Sequence, residues 1–284
     1  MKNKLIIIIC LIFFSSNLFA KNLIIQAKNI SIDKKNKITI FENKVSIQTE
    51  DNYLITSDFA EYNKETGIII LKRNIIGIDD SNNTIKTSYA EYNELSKILI
   101  SKGQTEIITS DNYIVEGSDI TLDNNFKFMK SDNDAVVTDQ DKNKIYLNNF
   151  DYQTKNSIFK SIGLIKVKDL LGNEYQFSQI YIDTNKKEIL GTDNKSFLNN
   201  NDFKMNENNK PRIFSNTIKI RDKNTEFGKS VFTLCDYRKN DKCPPWSIQS
   251  KKMLHDGEKK TIYYDNAVVK IYDIPVFYLP RLSH

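Results

Sequence analysis

Histidine and cysteine are scarce in this chain, and each scarcity removes a class of function. Only two histidines occur in 284 residues, His255 and the final His284. With no Gly-x-Ser-x-Gly or similar nucleophile setting, acid–base and nucleophilic catalysis are poorly supported, and no enzyme is expected. Three cysteines occur, one of them Cys10 within the N-terminal apolar run. The other two, Cys235 and Cys243, have no second Cys or His pair at ligand spacing, so a metal site is poorly supported. Asp139-Gln140-Asp141-Lys142-Asn143 has the start of a calcium loop. It then places Lys144 where glycine is needed and Phe150 where a bidentate glutamate is needed, and reads as a solvated turn. No cofactor is expected.

A strong charge of one sign is also missing. Lys and Arg number 41 against 36 Asp and Glu, a net +5, which becomes 5 − 2 = +3 if Lys2 and Lys4 are removed with a leader. The charge is spread, and no basic stripe or nucleic-acid module stands out, so nucleic acid is not an expected partner. Helical apolar spacing never persists beyond one or two turns. With 39% hydrophobic residues and only 9 Gly and 5 Pro, the chain still has the material for a packed core.

What the chain has in abundance is a repeat. Ser57-Asp58-Phe59-Ala60-Glu61-Tyr62-Asn63 recurs about 30 residues later as Thr87-Ser88-Tyr89-Ala90-Glu91-Tyr92-Asn93. Each copy is followed by a polar turn and a β-branched run, Ile68 to Leu71 or Ile98 to Ile100, so each repeat is one hairpin. Looser copies surround Asp119–Asp123, Phe150–Tyr152 and Ile180–Asp183. By the same register His255-Asp256 occupies the slot of Tyr62-Asn63 and reads as a hairpin turn. A fixed period of this size means stacked supersecondary units.

Residues 1–20 read as a secretory signal, with Lys2 and Lys4 before an apolar run from Leu5 to Phe14 and a small-residue exit ending at Ala20. A run of about ten residues is short for the ~20 that cross a bilayer. An uncleaved anchor stays open as the alternative, because Leu18 suits the −3 position poorly. Residues 21–230 then form the hairpin array, with an Asn-rich loop expected from Phe197 to Pro211, and residues 231–284 the last strands. The expected fold is all-β: a β-jelly roll or splayed β-sandwich of stacked hairpins, about eight strands in each sheet. Its open edges, expected near Leu23–Ala27 and Ile38–Phe41, are places for another chain to add strands.

The last fifty residues are more specific. Cys243-Pro244-Pro245-Trp246, His255-Asp256 with the strand Lys259 to Tyr264, and Pro275-Val276-Phe277-Tyr278-Leu279-Pro280 resemble the periplasmic part of the LPS-assembly outer-membrane proteins, the LptD or organic-solvent-tolerance family. The upstream hairpins resemble that family's OstA-type repeats, shared with the LptA bridge proteins. Family members continue into a transmembrane barrel. The strands of such a barrel are not found here, so the expectation is a periplasmic slab that does not insert lipid by itself.

The resemblance implies periplasmic localisation at the outer membrane of a Gram-negative bacterium. It implies lipopolysaccharide as cargo, with an LptA-like bridge protein and an outer-membrane barrel with its lipoprotein plug as partners. Cys235 and Cys243 are expected to form a short-loop disulfide in an exported chain. The family adds the alternative of pairing with the barrel.

Apolar side chains alternate along the strands at Ile55, Phe59, Ile68, Ile70, Ile85, Tyr89, Ile98, Ile100, Ile114, Ile120, Tyr146, Phe150 and Phe177. They are either the core of a closed sandwich or the lining of an acyl-chain groove, and the resemblance favours the groove. Ala60, Tyr62, Ala90 and Tyr92 form the opposite set, and a register shift of one residue exchanges the two. Two other classes stay open: an exported structural or adhesive β-repeat, and a carbohydrate-processing enzyme on a β-solenoid, which would need acids aligned on one face.

Overall fold

The computed structural model describes residues 23–50, 52–199, 211–235 and 244–284. The expected leader, Cys243 and most of the segment expected to form an Asn-rich loop lie outside the described residues. The chain is all-β, and among the described residues 22 strands are joined in antiparallel pairings. They open with β1 (Ile24–Gln26), β2 (Asn29–Asp33), β3 (Ile38–Gln48), β4 (Leu54–Asn63), β5 (Ile68–Ile78) and β6 (Thr84–Asn93). Shorter strands follow: β7 (Ile98–Ser101), β8 (Gln104–Ile108), β9 (Ile114–Ser118), β10 (Thr121–Asp123), β11 (Phe128–Ser131), β12 (Ala135–Thr138), β13 (Lys144–Leu147) and β14 (Phe150–Gln153). The array ends with β15 (Ile158–Lys168), β16 (Glu174–Asp183), β17 (Glu188–Phe197), β18 (Arg212–Arg221), β19 (Asn224–Thr233), β20 (Trp246–Asp256), β21 (Thr261–Ile271) and β22 (Ile274–Ser283).

Each long strand is bent at its middle. Between β3 and β4 the register shifts between Glu42 and Val45, and between β5 and β6 it shifts between Lys72 and Ile75. Asn43, Lys44, Arg73 and Asn74 have positive φ at these points, and Gly163 does so at the corresponding place in β15. Asn and Gly tolerate that conformation best, and a bulge there both bends the strand and increases its twist. Between β6 and β15 the same corner is a complete break, as at Gly103 and Asp119, which is why the middle strands are short.

The chain therefore folds into two layers joined along a spine of bulges. One layer holds β2, the first half of β3 and the second half of β4; the other holds β1 and the remaining halves. Every long strand from β3 to β6 and from β15 to β21 crosses from one layer to the other. This departs from eight separate strands per sheet, because one bent strand serves both.

Hairpin turns face the spine from the opposite side. In the first layer the turns repeat every 30 residues, with Asp33, Asn63, Asn93, Asp123 and Asp183 each accepting an amide hydrogen bond from two or three residues on. Such Asx turns replace backbone pairing at the hairpin tip. The turn Asp256-Gly257-Glu258 is built the same way, with Glu258 N donating to Asp256 Oδ1 at 3.1 Å, so His255-Asp256 is a hairpin end as expected. In the second layer Asp79, Asp139 and Asp169 each bind the backbone and side-chain amides of the Asn four residues on. Asn83, Asn143 and Asn173 in turn accept from the amides of Ser110, Leu170 and Asn199 in the next hairpin, which stitches successive repeats together.

The edge available for strand addition differs from the expected one at one end. Ile38–Glu42 pairs with β2 on one side and β4 on the other, so it is internal. The chain folds back at Asp33, and β2 with its exposed Ile30 and Ile32 is the outer strand instead.

Candidate functional site: the interior between the layers

The side chains between the two layers form one apolar body running from Phe41 to Ala267. Its lining is graded. Near the spine, where the layers converge, it is small: Ala60, Ala90, Ser101, Ser230 and Ala267 are all fully buried. Gly191 lies so close to Phe177 that an added Cβ would stand 2.4 Å from its ring. Toward the turns the side chains are large, with Tyr92, Tyr152, Phe159 and Ile182 buried. Phe159 stacks on Tyr152 with ring centroids 4.1 Å apart and contacts Phe150 at 6.2 Å. A wedge that is narrow at the spine and wide at the turns follows from a sheet folded along a line.

The wide side is a mouth laced by polar contacts between the layers. Lys97 Nζ meets Glu50 Oε2 at 3.2 Å, and Lys127 Nζ meets Asp80 Oδ2 at 2.8 Å. Both lysines close first-layer turns with positive φ, and both acids stand in second-layer turns. Farther along, Thr184 Oγ1 donates to Asp111 Oδ2 at 2.8 Å. Burial at the mouth raises the Asp79 carboxyl above the usual aspartate range, with Asn83 donors opposing it. Burial, then the hydrogen bond to Glu94, pushes Tyr62 up to about 12.

The ten residues expected to line a groove do not share a face. Ile55, Ile85, Ile120, Phe150 and Phe177 are buried between the layers. Phe59, Ile70, Tyr89, Ile100 and Ile114 point outward, where Lys72 Nζ lies 5.3 Å from the Phe59 ring centroid and Lys102 Nζ lies 5.3 Å from that of Tyr89. The opposite set is mostly inside: Ala60, Ala90 and Tyr92 are buried, and Tyr62 packs against the same core. Period-two counting fails because the register shift between Thr56 and Phe59 exchanges the faces within one strand. Leu71, Val115, Val137, Ile145 and Phe159 are interior residues that the counting passed over. Asn-Lys and Arg-Asn at a 30-residue interval in the middle of β-branched runs were the available sign of the bulge.

At the far end, Trp246 opens β20 directly after Pro244-Pro245 and sits edge-on to Phe232 at 6.2 Å. Pro245 O accepts from Tyr272 N at 2.8 Å, so the proline pair delivers the chain into the sheet at that point. Cys235 is half-buried after β19, and its expected partner Cys243 falls outside the described residues. Asp139 ties its turn by accepting from Asp141 and Asn143, as a solvated hairpin does.

Among solved structures the chain is similar to LptH, described as the LptA homologous periplasmic component of the conserved lipopolysaccharide transport device from Pseudomonas aeruginosa. The likeness is slight. Identity is 12%, the TM-score is 0.17, and the alignment covers 60% of this chain and 82% of that one. A TM-score of that size bears on neither fold nor function. No protein-family model matches the chain, and no curated protein matches it.

Proposed function

We propose that this chain is a periplasmic lipopolysaccharide carrier whose interior, between the two layers, takes acyl chains. The observation that carries the reading is the continuous apolar interior along the array, bounded by a bulge spine on one side and a polar turn-lined mouth on the other. An amphiphile fits that arrangement, with chains in the wedge and its head group at the turns. Each buried methylene contributes about 0.8 kcal/mol, so a few chains supply affinity without polar recognition. No covalent chemistry is involved.

The C-terminal motifs favour the periplasmic part of the LptD family over a bridge protein. In that arrangement β1 and β2 form the end that pairs with an LptA-like bridge, and β22 faces an outer-membrane barrel. Cys235 and Cys243 then bond either to each other or to that barrel.

A second reading has its own support. The core is closely packed, with Ile47, Ile69, Leu71 and Ile145 fully buried and a void of only about 10 Å³ between Ile55, Ile85, Tyr92 and Leu99, as a purely structural exported β-repeat would be. Purification of the full chain from a Gram-negative host, followed by lipid mass spectrometry, separates the two. Co-purifying lipid A at stoichiometric amounts supports the carrier. A folded, exported protein free of lipid supports the structural reading.

A further inference from the structure

The lacing of the mouth follows a rule, and the rule has a gap. Glu50 with Lys97 and Asp80 with Lys127 are pairs 47 residues apart, displaced from each other by one 30-residue repeat. The next positions in the series are Ser110 with Ser157, where Asp111 and Thr184 supply the contact instead. The position after that is Gln140 with Lys187, so the lysine recurs and the acid does not. The Gln140 side chain turns along the rim and donates to Asp111 O, within its own layer.

An opening of about 70 Å³ lies at this point, with Tyr113, Ile145, Ile182 and Ile189 among its walls and Asp139, Asp141, Lys187 and Asp222 at its rim. Ile145 and Ile182 belong to the core, so the opening leads directly inward. We infer that this gap is the entrance through which a single aliphatic chain of an amphiphile reaches the interior, while its polar end stays at the charged rim. The inference rests on the carrier reading above. It assigns the route, which that reading leaves open, to one rung of the mouth rather than to the whole seam or the spine.

The test uses the full chain with Cys10, Cys235 and Cys243 replaced by serine. One variant carries Gln140→Cys with Lys187→Cys, and another carries Glu50→Cys with Lys97→Cys. Each pair is bridged by a short disulfide-containing bis-maleimide, with bridging confirmed by mass spectrometry. The probe is N-phenyl-1-naphthylamine, an uncharged dye that brightens in apolar surroundings, and its uptake is followed by stopped-flow fluorescence. Bridging 140 to 187 is expected to slow uptake by about tenfold or more, as closing the assigned entrance should, and cleavage of the linker restores it. Bridging 50 to 97 is expected to leave the rate within about twofold, because that rung is already closed. Unchanged uptake after bridging 140 to 187, or equal slowing at both rungs, overturns the assigned entrance while leaving the carrier reading intact. No uptake by the unbridged protein overturns both.

Discussion

Lys97 and Glu50 belong to opposite layers of the sheet, and their contact at 3.2 Å is repeated by Lys127 and Asp80 one hairpin unit later. These pairs join the layers where the wedge is widest, so they govern opening more than global stability. Partly exposed pairs contribute about 0.2–1 kcal/mol each. Lys97→Gln combined with Lys127→Gln is therefore expected to lower the urea midpoint only slightly. Amide exchange at the turns near Thr49 and Asp79 should rise by a larger factor than exchange in the strands. Equal acceleration everywhere would show that the pairs act on the whole fold.

Interior and exterior aromatics should differ sharply in cost. Phe159 is 1% exposed and stacked on Tyr152, and Phe159→Ala is expected to cost about 3–5 kcal/mol. Tyr89 points outward, and Tyr89→Ala is expected to stay within about 1 kcal/mol. Denaturant titration of both variants checks the assignment of faces, and comparable losses would contradict it.

The narrow spine makes its own prediction. Because a Cβ at Gly191 meets the Phe177 ring, Gly191→Ala is expected to destabilise by about 1–3 kcal/mol through overpacking. Trimming the ring with Phe177→Leu in the same chain should recover part of that loss. A double variant less stable than the sum of the single changes would show that the two positions do not compete for space.

Acidity should act through Asp79. Its folded pKa lies above the aspartate value of 3.8, so the folded state holds the proton more tightly than the unfolded chain. Ionisation then costs stability, beginning as pH rises past 3.8 and completing above the folded pKa. Relative to Asp79→Asn, the parent protein is expected to lose stability as pH rises above 3.8, measured as the difference in urea midpoints. A parent protein that instead gains stability relative to Asp79→Asn as pH rises would reverse the sign and refute the burial explanation.

Much of the fold was legible because turn chemistry and β-branched runs recur every 30 residues, and each copy agrees with the others. Asn63 and Asn93 mark hairpin tips in the sequence as plainly as in the structure. The bends were not legible by alternation. Asn43-Lys44 and Arg73-Asn74 look like surface turns, yet they lie inside strands and carry the chain from one layer to the other. That is why Ile55 is inside and Phe59 outside on the same strand. The mouth contacts depend on residues 47 positions apart in different layers, which no local pattern reveals.

The central claim is that lipid lies between the layers, and site-specific photocrosslinking tests it most directly. A photoreactive residue would replace Tyr92, Phe159 or Ile182 inside, and Ile70, Tyr89 or Ile114 outside, in cells producing labelled lipopolysaccharide. Adducts at the three interior positions and none at the three outer ones are the predicted result. Adducts confined to the outer positions, or absent from a folded and exported protein, would contradict it.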